Sequence, residues 1–436
     1  MRGNLVEKAL VGLLAAEILF ACYAVVYLYV YGCLPPPFFY VSSDTFSDYF
    51  YPNYWADMDG RYEQWGSIYP IAVFAFAKLV RSPACDAVTS VWELRACDLY
   101  SVWYLIGAFV LGAGVSGHKM VAYSAGAINW SSPRGKWAGT LVVLFSLPGL
   151  FALERGNYII LAMLFVALAA PIERRWHSAL FLALAINVKQ YLLVLLAIPV
   201  MKRDLRYVAM TLVFVCLING LAMTFVQESR YSLLFQNMLD FSSGSNFESY
   251  YFERIWNSTS LVPWYRAIQN SLAVANIRTG EEIKSITDLL AAAILVLRLL
   301  TLGVLALLWI QRDQLSSNFI AIVLITCMMA NTDILGGYGS ILCFPFLLSI
   351  WERERRLWYL GLVLMMYVPL EFPLGPGRAP AAPSFLGVLD GAPDMRMTLG
   401  AMVRPLVTSA FVGLTFFDLM ACTAKTPVDA KVRRDR

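Results

Sequence analysis

Histidine is almost missing from this chain. Two histidines stand in 436 residues, and the eight cysteines form no CxxC pair and no Cys/His cluster, so no zinc-binding pattern is present. Charge is scarce as well. Only 15% of the residues are charged and 59% are hydrophobic, whereas a soluble domain carries about 25% charged residues. That balance excludes an ordinary soluble protein. The short alternating segments of an outer-membrane barrel are missing too, as are a repeat of fixed period, a separable soluble domain and two related halves. The net charge of +4 is small and gathered in short loops, which speaks against a nucleic-acid partner and for orientation in a bilayer.

What is present is a series of apolar runs, each of roughly 20 residues and able to cross a hydrocarbon core of about 30 Å. The sequence therefore predicts an all-α polytopic membrane protein with about 10–12 transmembrane or half-membrane helices, forming a single domain over residues 1–436. Leu5 to Tyr31 is longer than the apolar region of a signal peptide, about 7–15 residues, and shows no clear small-residue cleavage site. It reads as a retained first helix. Cys22, Cys216, Cys327, Cys343 and Cys422 fall in apolar runs and read as packing residues.

Short loops rich in Lys and Arg tend to stay in the cytoplasm. Here they are "SSPRGK" (131–136), "ERRWH" (173–177), "MKRDLR" (201–206), "QRDQ" (311–314), "WERERR" (351–356) and "AKVRRDR" (430–436). With Arg2 and Lys8 also inside, both termini are cytoplasmic, and 32–68, 227–287 and 375–396 become external loops. Segments 137–172, 178–200 and 319–350 then each leave the cytoplasm and return. Each has a polar centre: "ERGN" (154–157), "NVKQ" (187–190) and "NTDILGGYGS" (331–340). Half of the second, about 11 residues, reaches only about 16 Å as a helix, which predicts a broken or re-entrant element whose tip faces outward. Such backbone at membrane depth has to line a cavity or be buried in protein. In 69–117 we expect one crossing, over 98–117, with 69–80 at the outer interface. Cys85 and Cys97 would then flank a short external loop, where a disulfide and two unrelated thiols are both compatible with the sequence.

The stretch 43–70, "SDTFSDYFYPNYWADMDGRYEQWGSIYP", sets four aspartates and one glutamate among many aromatic rings. Asp44 and Asp48 are four apart and would share a face if the stretch is helical. Either one suits a general base for a hydroxyl, and a solvated acidic loop explains them equally well. Asp57 and Asp59, beside Gly60, read as turn residues. Arg155 and Lys189, at the tips of broken helices, suit a phosphate. They also suit an ion pair with Glu154 or Asp333, or snorkelling. The rings suit stacking on sugars or an ordinary interfacial belt. Arg298 lies inside an apolar helix and needs a partner or an aqueous contact.

Taken in order, "SDYFYPNYWA" (47–56), "IYPIAVF" (68–74), "ERGNYIILAMLFVALAA" (154–170), "LALAINVKQYLLVLLAIPVMKRDLR" (182–206), "WNSTSL" (256–261) and "GGYGSILCFPFLL" (336–348) resemble the motifs of polyprenyl-phosphate-sugar-dependent membrane glycosyltransferases of the C-type fold, in particular glycosyltransferase family 87. Ile71 and Gln190 stand where that pattern has proline, and Tyr338 where it often has histidine.

The resemblance implies a bacterial inner-membrane enzyme with an extracytoplasmic active site. Its donor would be a sugar on polyprenyl phosphate and its acceptor a hydroxyl of a lipid-linked or cell-envelope glycan. Transfer would be inverting, with Asp48 or Asp44 as base. Arg155, Asn157, Lys189, Gln190, Tyr191, Tyr69, Tyr51, Trp256, Asn257 and Tyr338 would bind substrate. No cofactor follows from the sequence, and a divalent metal is not indicated. Two competing readings are a transporter or flippase, since broken helices with polar centres also mark transporters, and a polymerase or ligase of lipid-linked glycans.

Overall fold

A computed structural model describes residues 2–31, 34–35, 38, 45–122, 133–172, 175–228, 230–243, 258–266, 268, 281–332, 337–374 and 397–425. Among these residues the regular structure is helical apart from a two-residue antiparallel pair, Pro373–Leu374 with Met397–Thr398. Five helices are long and apolar enough to cross a membrane: Lys8–Val30, Leu99–Met120, Leu205–Val226, Lys284–Gln311 and Leu399–Thr423. Seven shorter apolar helices and one bent pair fill the space among them. The protein is a multi-pass membrane protein.

The first helix, α1 (Arg2–Tyr31), is followed by the short α2 (Ser47–Trp55) and α3 (Ile71–Val80). Then come α4 (Val91–Cys97), α5 (Val102–Ala122), α6 (Pro133–Phe145), α7 (Leu147–Arg155) and α8 (Ile159–Ala169). The apolar α8 is almost wholly buried between α5 and α9 (Trp176–Val188). By contrast Tyr29, Leu221 and Leu302 lie on the outside of the bundle, 91%, 73% and 62% exposed. An apolar exterior of this kind is stable only against lipid. Helices α5 and α6 touch backbone to backbone: a Cβ on Gly117 would lie 2.4 Å from the amide nitrogen of Thr140, the close approach that small residues allow in membranes.

The expected breaks are present. Between α6 and α7 the chain bends by 52°. Ser146 is extended there, caps α7 by accepting from the Gly149 amide, and precedes Pro148, which has no amide hydrogen to offer. Helix α7 stops at Gly156, which is left-handed with φ 66°, and α8 starts three residues later. Helix α9 stops at Lys189, extended at φ −138° and ψ 99°. The chain resumes as a 3-10 turn over Gln190–Leu196 and then α10 (Ala197–Met201). Helix α11 (Leu205–Val226), capped by Asp204, and α12 (Leu233–Ser243) follow. After α13 (Glu281–Gln311) and α14 (Ser317–Asn331) comes a long 3-10 segment, Gly337–Glu352, then α15 (Arg356–Tyr367) and α16 (Leu399–Lys425).

Two ends of the bundle can be told apart. At one end Arg353 pairs with Asp418 at 2.8 Å and Lys202 reaches the Leu315 carbonyl at 2.6 Å, so the basic loops gather there. The other end carries α2, the break at 155–158, Lys189 and the start of the 337–352 segment. Helix α3, too short to cross alone, packs at this end against α11 and α9 with Ile71, Val73, Phe74 and Ala77 buried. Cys85 and Cys97 form a disulfide with 5.9 Å between Cα atoms. Arg298 stands exposed on α13 and makes no ion pair among the described residues.

Candidate active site

The first turn of α2 carries the acid. Ser47 to Trp55 form a helix with Pro52 inside it, which gives up the backbone bond that a proline nitrogen cannot donate to the Asp48 carbonyl. The helix does not extend back to residue 44. It begins at Ser47, after Phe46, which is left-handed at φ 57°; Asp44, and with it the expected pairing of Asp44 with Asp48, lies outside the described residues. Backbone contact sets the position of α2, since the Phe46 amide donates to the Glu154 carbonyl at 2.8 Å.

Asp48 is thereby brought against the first break. The Asn157 side-chain amide donates to its Oδ2 at 2.7 Å and to the Tyr338 hydroxyl at 3.0 Å. Asn157 uses its own Oδ1 to accept from the Ile159 amide at 2.9 Å, which fixes the orientation of the side chain at the start of α8. Arg155 points a guanidinium nitrogen at Asp48 Oδ1, 3.6 Å away, and donates to the Ser47 hydroxyl at 3.1 Å. Asp48 was not among the partners expected for it from the sequence, which were Glu154 and Asp333. Gly156 permits the approach: a Cβ there would lie 2.8 Å from Tyr49 Cβ and 3.0 Å from Phe46 Cα.

The second break supplies the opposite wall. Lys189 sits over the Tyr69 ring at 4.9 Å, a cation–π contact. Gln190 donates to the Ile68 carbonyl at 2.9 Å, tying the entry to α3 against the broken helix. Together these groups enclose a cavity of about 250 Å³ lined by Asp48, Asn157, Tyr338, Lys189, Gln190, Tyr191 and Tyr69, with Trp55, Trp65 and residues 66–68. A carboxylate, an ammonium and an amide thus converge on one water-accessible space, bounded by aromatic rings. Proton transfer to Asp48 and neutralisation of an anion by Lys189 are the chemistry such a set can perform. Among the described residues no three His, Cys, Asp or Glu side chains stand together as a metal would need.

Seven of the residues singled out from the sequence line this cavity, and Arg155 reaches it through Asp48. Tyr51 does not line it; it packs on Trp55 at 5.4 Å, on the exposed side of α2. Trp256, Asn257 and Asp333 lie outside the described residues. Trp55 and Trp65 were missed as wall residues. Trp55 had a signal, because it follows Asp48 by seven residues and two helical turns bring it back to the same face.

A second, almost wholly apolar space of about 380 Å³ opens between α3, α8, α9 and α11, lined by Phe76, Leu79, Phe165, Val188, Leu221 and Phe225 among others. Its lining includes Val188 and Ala72, respectively next in sequence to Lys189 and close to Pro70 of the polar cavity, so neighbouring residues of the second break and of α3 line the two spaces.

A polytopic helical bundle with an acid and a cation gathered at two broken helices defines a membrane enzyme or carrier acting at one end of the bundle. The chain matches the family model of glycosyltransferase family 87 over residues 68–331, and it belongs to that family. It is therefore a membrane glycosyltransferase. Neither the curated proteins nor the solved structures yield a match. The matched span contains Tyr69, Arg155, Asn157, Lys189, Gln190 and Tyr191. Asp48 and Tyr338 fall on either side of it, yet both bond to Asn157 within it.

Proposed function

We propose that this protein transfers a sugar from polyprenyl phosphate to a hydroxyl of a lipid-linked or cell-envelope glycan, with inversion at the anomeric carbon and Asp48 as general base. The observation that carries the reading is Asp48 fixed by Asn157 and Arg155 inside a cavity whose other wall holds Lys189. The acceptor oxygen attacks the anomeric carbon on the face opposite the phosphate. A new C–O bond forms as the bond to the phosphate oxygen breaks, the hydroxyl proton passes to the Asp48 carboxylate, and the bonding electrons leave with the polyprenyl phosphate. Lys189 offsets the charge on that leaving group, and Arg155 adds a second positive charge while holding Asp48. The apolar groove beside Val188 supports a lipid-linked donor, since an isoprenoid chain lying there would present its phosphate at Lys189.

The reading places the site on the extracytoplasmic face of a bacterial inner membrane, with both termini in the cytoplasm. The basic loops at the far end of the bundle favour this. So does the Cys85–Cys97 disulfide, because disulfides persist in oxidising compartments and this one lies in the segment packed on α2. Arg95 donates to the Thr45 carbonyl at 3.1 Å and Tyr54 to the Thr89 carbonyl at 2.6 Å.

The test is transfer of radiolabel from a polyprenyl-phosphate sugar to a glycolipid acceptor by the purified protein in lipid nanodiscs. Asp48→Asn keeps size and hydrogen bonding but removes basicity, and is expected to lower turnover about 10²–10⁴-fold with donor still bound. Lys189→Ala weakens donor binding as well. Label that crosses a vesicle membrane without being transferred supports a flippase instead.

A further inference from the structure

Two tryptophans in the cavity wall take no part in the chemistry above. Trp55 and Trp65 stack with ring centroids 5.8 Å apart and 11° between their planes, both half-buried and both lining the cavity. Their placement is specified with unusual care for a connection between two short helices. Arg61 is 2% exposed; it donates to the carbonyls of Trp55 and Ala56, each at 3.2 Å, and pairs with Glu228 at 2.6 Å. Asn237 of α12 donates to the carbonyls of Tyr62 and Ser67 at 2.8 and 3.1 Å. Gly66, left-handed at φ 54°, turns the chain directly after Trp65. A buried ion pair is costly to desolvate, and here its donors hold the last carbonyls of α2 and so the root of the Trp55 side chain. The aromatic wall is built in advance of any ligand.

Its position says what such a ligand would be. Seven residues after Asp48, Trp55 lies on the same face of α2 and about 10 Å further along the helix axis. That is more than one pyranose ring away from the proposed base. The donor carries its reacting sugar between Asp48 and Lys189, so a ring lying against the tryptophans belongs to the acceptor. Aromatic faces are electron-rich, and one face of a pyranose presents apolar C–H groups that carry slight positive charge, so the two pack well.

We propose that the Trp55–Trp65 pair is a subsite for the acceptor sugar next to the one bearing the attacking hydroxyl, so that the acceptor is a glycan longer than one sugar. This inference rests on the transfer reading above and assigns its acceptor class.

Saturation-transfer NMR with the full-length protein in nanodiscs tests it, using octyl disaccharides of gluco, manno and galacto configuration and the matching octyl monosaccharides as probes. At least one disaccharide is expected to bind about tenfold more tightly than its monosaccharide, with the strongest transfer to protons of the second ring. Trp65→Ala should erase the difference, and Trp65→Phe, which keeps a stacking face and guards against misfolding, should retain most of it. Equal binding of mono- and disaccharide by the native protein, or a preference that survives Trp65→Ala, overturns the proposal. The radiolabel assay separates this failure from that of the transfer reading. Transfer without a disaccharide preference removes the subsite alone. A preference that depends on Trp65, seen without any transfer from polyprenyl phosphate, removes the donor assignment alone.

Discussion

The side-chain amide of Asn157 donates to Asp48 Oδ2 at 2.7 Å, joining two residues 109 positions apart in the chain. The same nitrogen bonds to the Tyr338 hydroxyl, so one amide links α2, the first helix break and the long 3-10 segment. Hydrogen bonds to charged groups contribute about 1.5–3 kcal/mol. Asn157→Ala is therefore expected to lower transfer roughly 10–100-fold through misplacement of Asp48. Asn157→Ser, able to donate from a shorter side chain, should fall in between. Initial-rate measurement with radiolabelled donor at saturating concentration checks this; rates within about twofold of native would detach Asn157 from the site.

Gly156 is the hinge of this arrangement. Its left-handed φ costs a residue with a Cβ about 1–2 kcal/mol, and the new carbon would press on Tyr49 Cβ and Phe46 Cα, an overpacking of about 1–3 kcal/mol. Gly156→Ala should destabilise the protein by about 2–5 kcal/mol in all and reduce transfer, since the strain is relieved by moving α2 and Asp48 with it. Gly114→Ala, in α5 with no atom within 4 Å of its Cβ, is the control and should be neutral or slightly stabilising. Thermal denaturation in detergent compares the two.

The outline of the fold was legible because charge is so costly in a bilayer. Basic loops at both ends of 137–172, 178–200 and 319–350 predict that each turns back, and a polar centre in each predicts a break there. The observed breaks fall at Arg155–Asn157, at Lys189 and after Asn331. Asp48, Asn157, Lys189 and Gln190 at the cavity were legible for the same reason, whereas its two tryptophans were not. Partner choice was not. The left-handed Phe46 just before α2 was not foreseeable either, since no pattern in a phenylalanine announces positive φ. Arg155 suits a phosphate or several carboxylates on charge alone, and it is the packing of α2 over Gly156 that brings Asp48 to it. Likewise the link between Arg61 and Glu228 spans 167 residues and depends on α11 returning beside α3.

That buried pair makes a prediction about stability. The side chains of Arg61 and Glu228 are 2% and 4% exposed, so removing one leaves the other charged and without its counter-ion. Such losses run to about 3–5 kcal/mol. Glu228→Leu and Arg61→Met are each expected to fall in that range by equilibrium denaturation. The double variant should cost clearly less than their sum, because no lone charge remains. Additive losses would mean that the pair does not act as a unit.

Sidedness decides which donors can reach the site. Gln64, exposed on the connection that carries Trp65, lies at the cavity end, and Arg355, exposed beside Asp418, lies at the end of the basic loops. In intact cells Gln64→Cys should react with a membrane-impermeant maleimide and Arg355→Cys should react only after permeabilisation, each measured against the native cysteines as background. Mass spectrometry of protein from undisturbed membranes should find Cys85 and Cys97 joined, and Cys85→Ser should lower stability by about 3 kcal/mol, the value for a closed loop of about 15 residues. The two measurements check each other, since labelling reports the face of the membrane and the disulfide reports its redox state. If Arg355→Cys labels from outside and Gln64→Cys is protected, the cavity opens to the cytoplasm. Soluble nucleotide sugars would then have access to Asp48, and the case for a polyprenyl-linked donor would rest on the apolar groove alone.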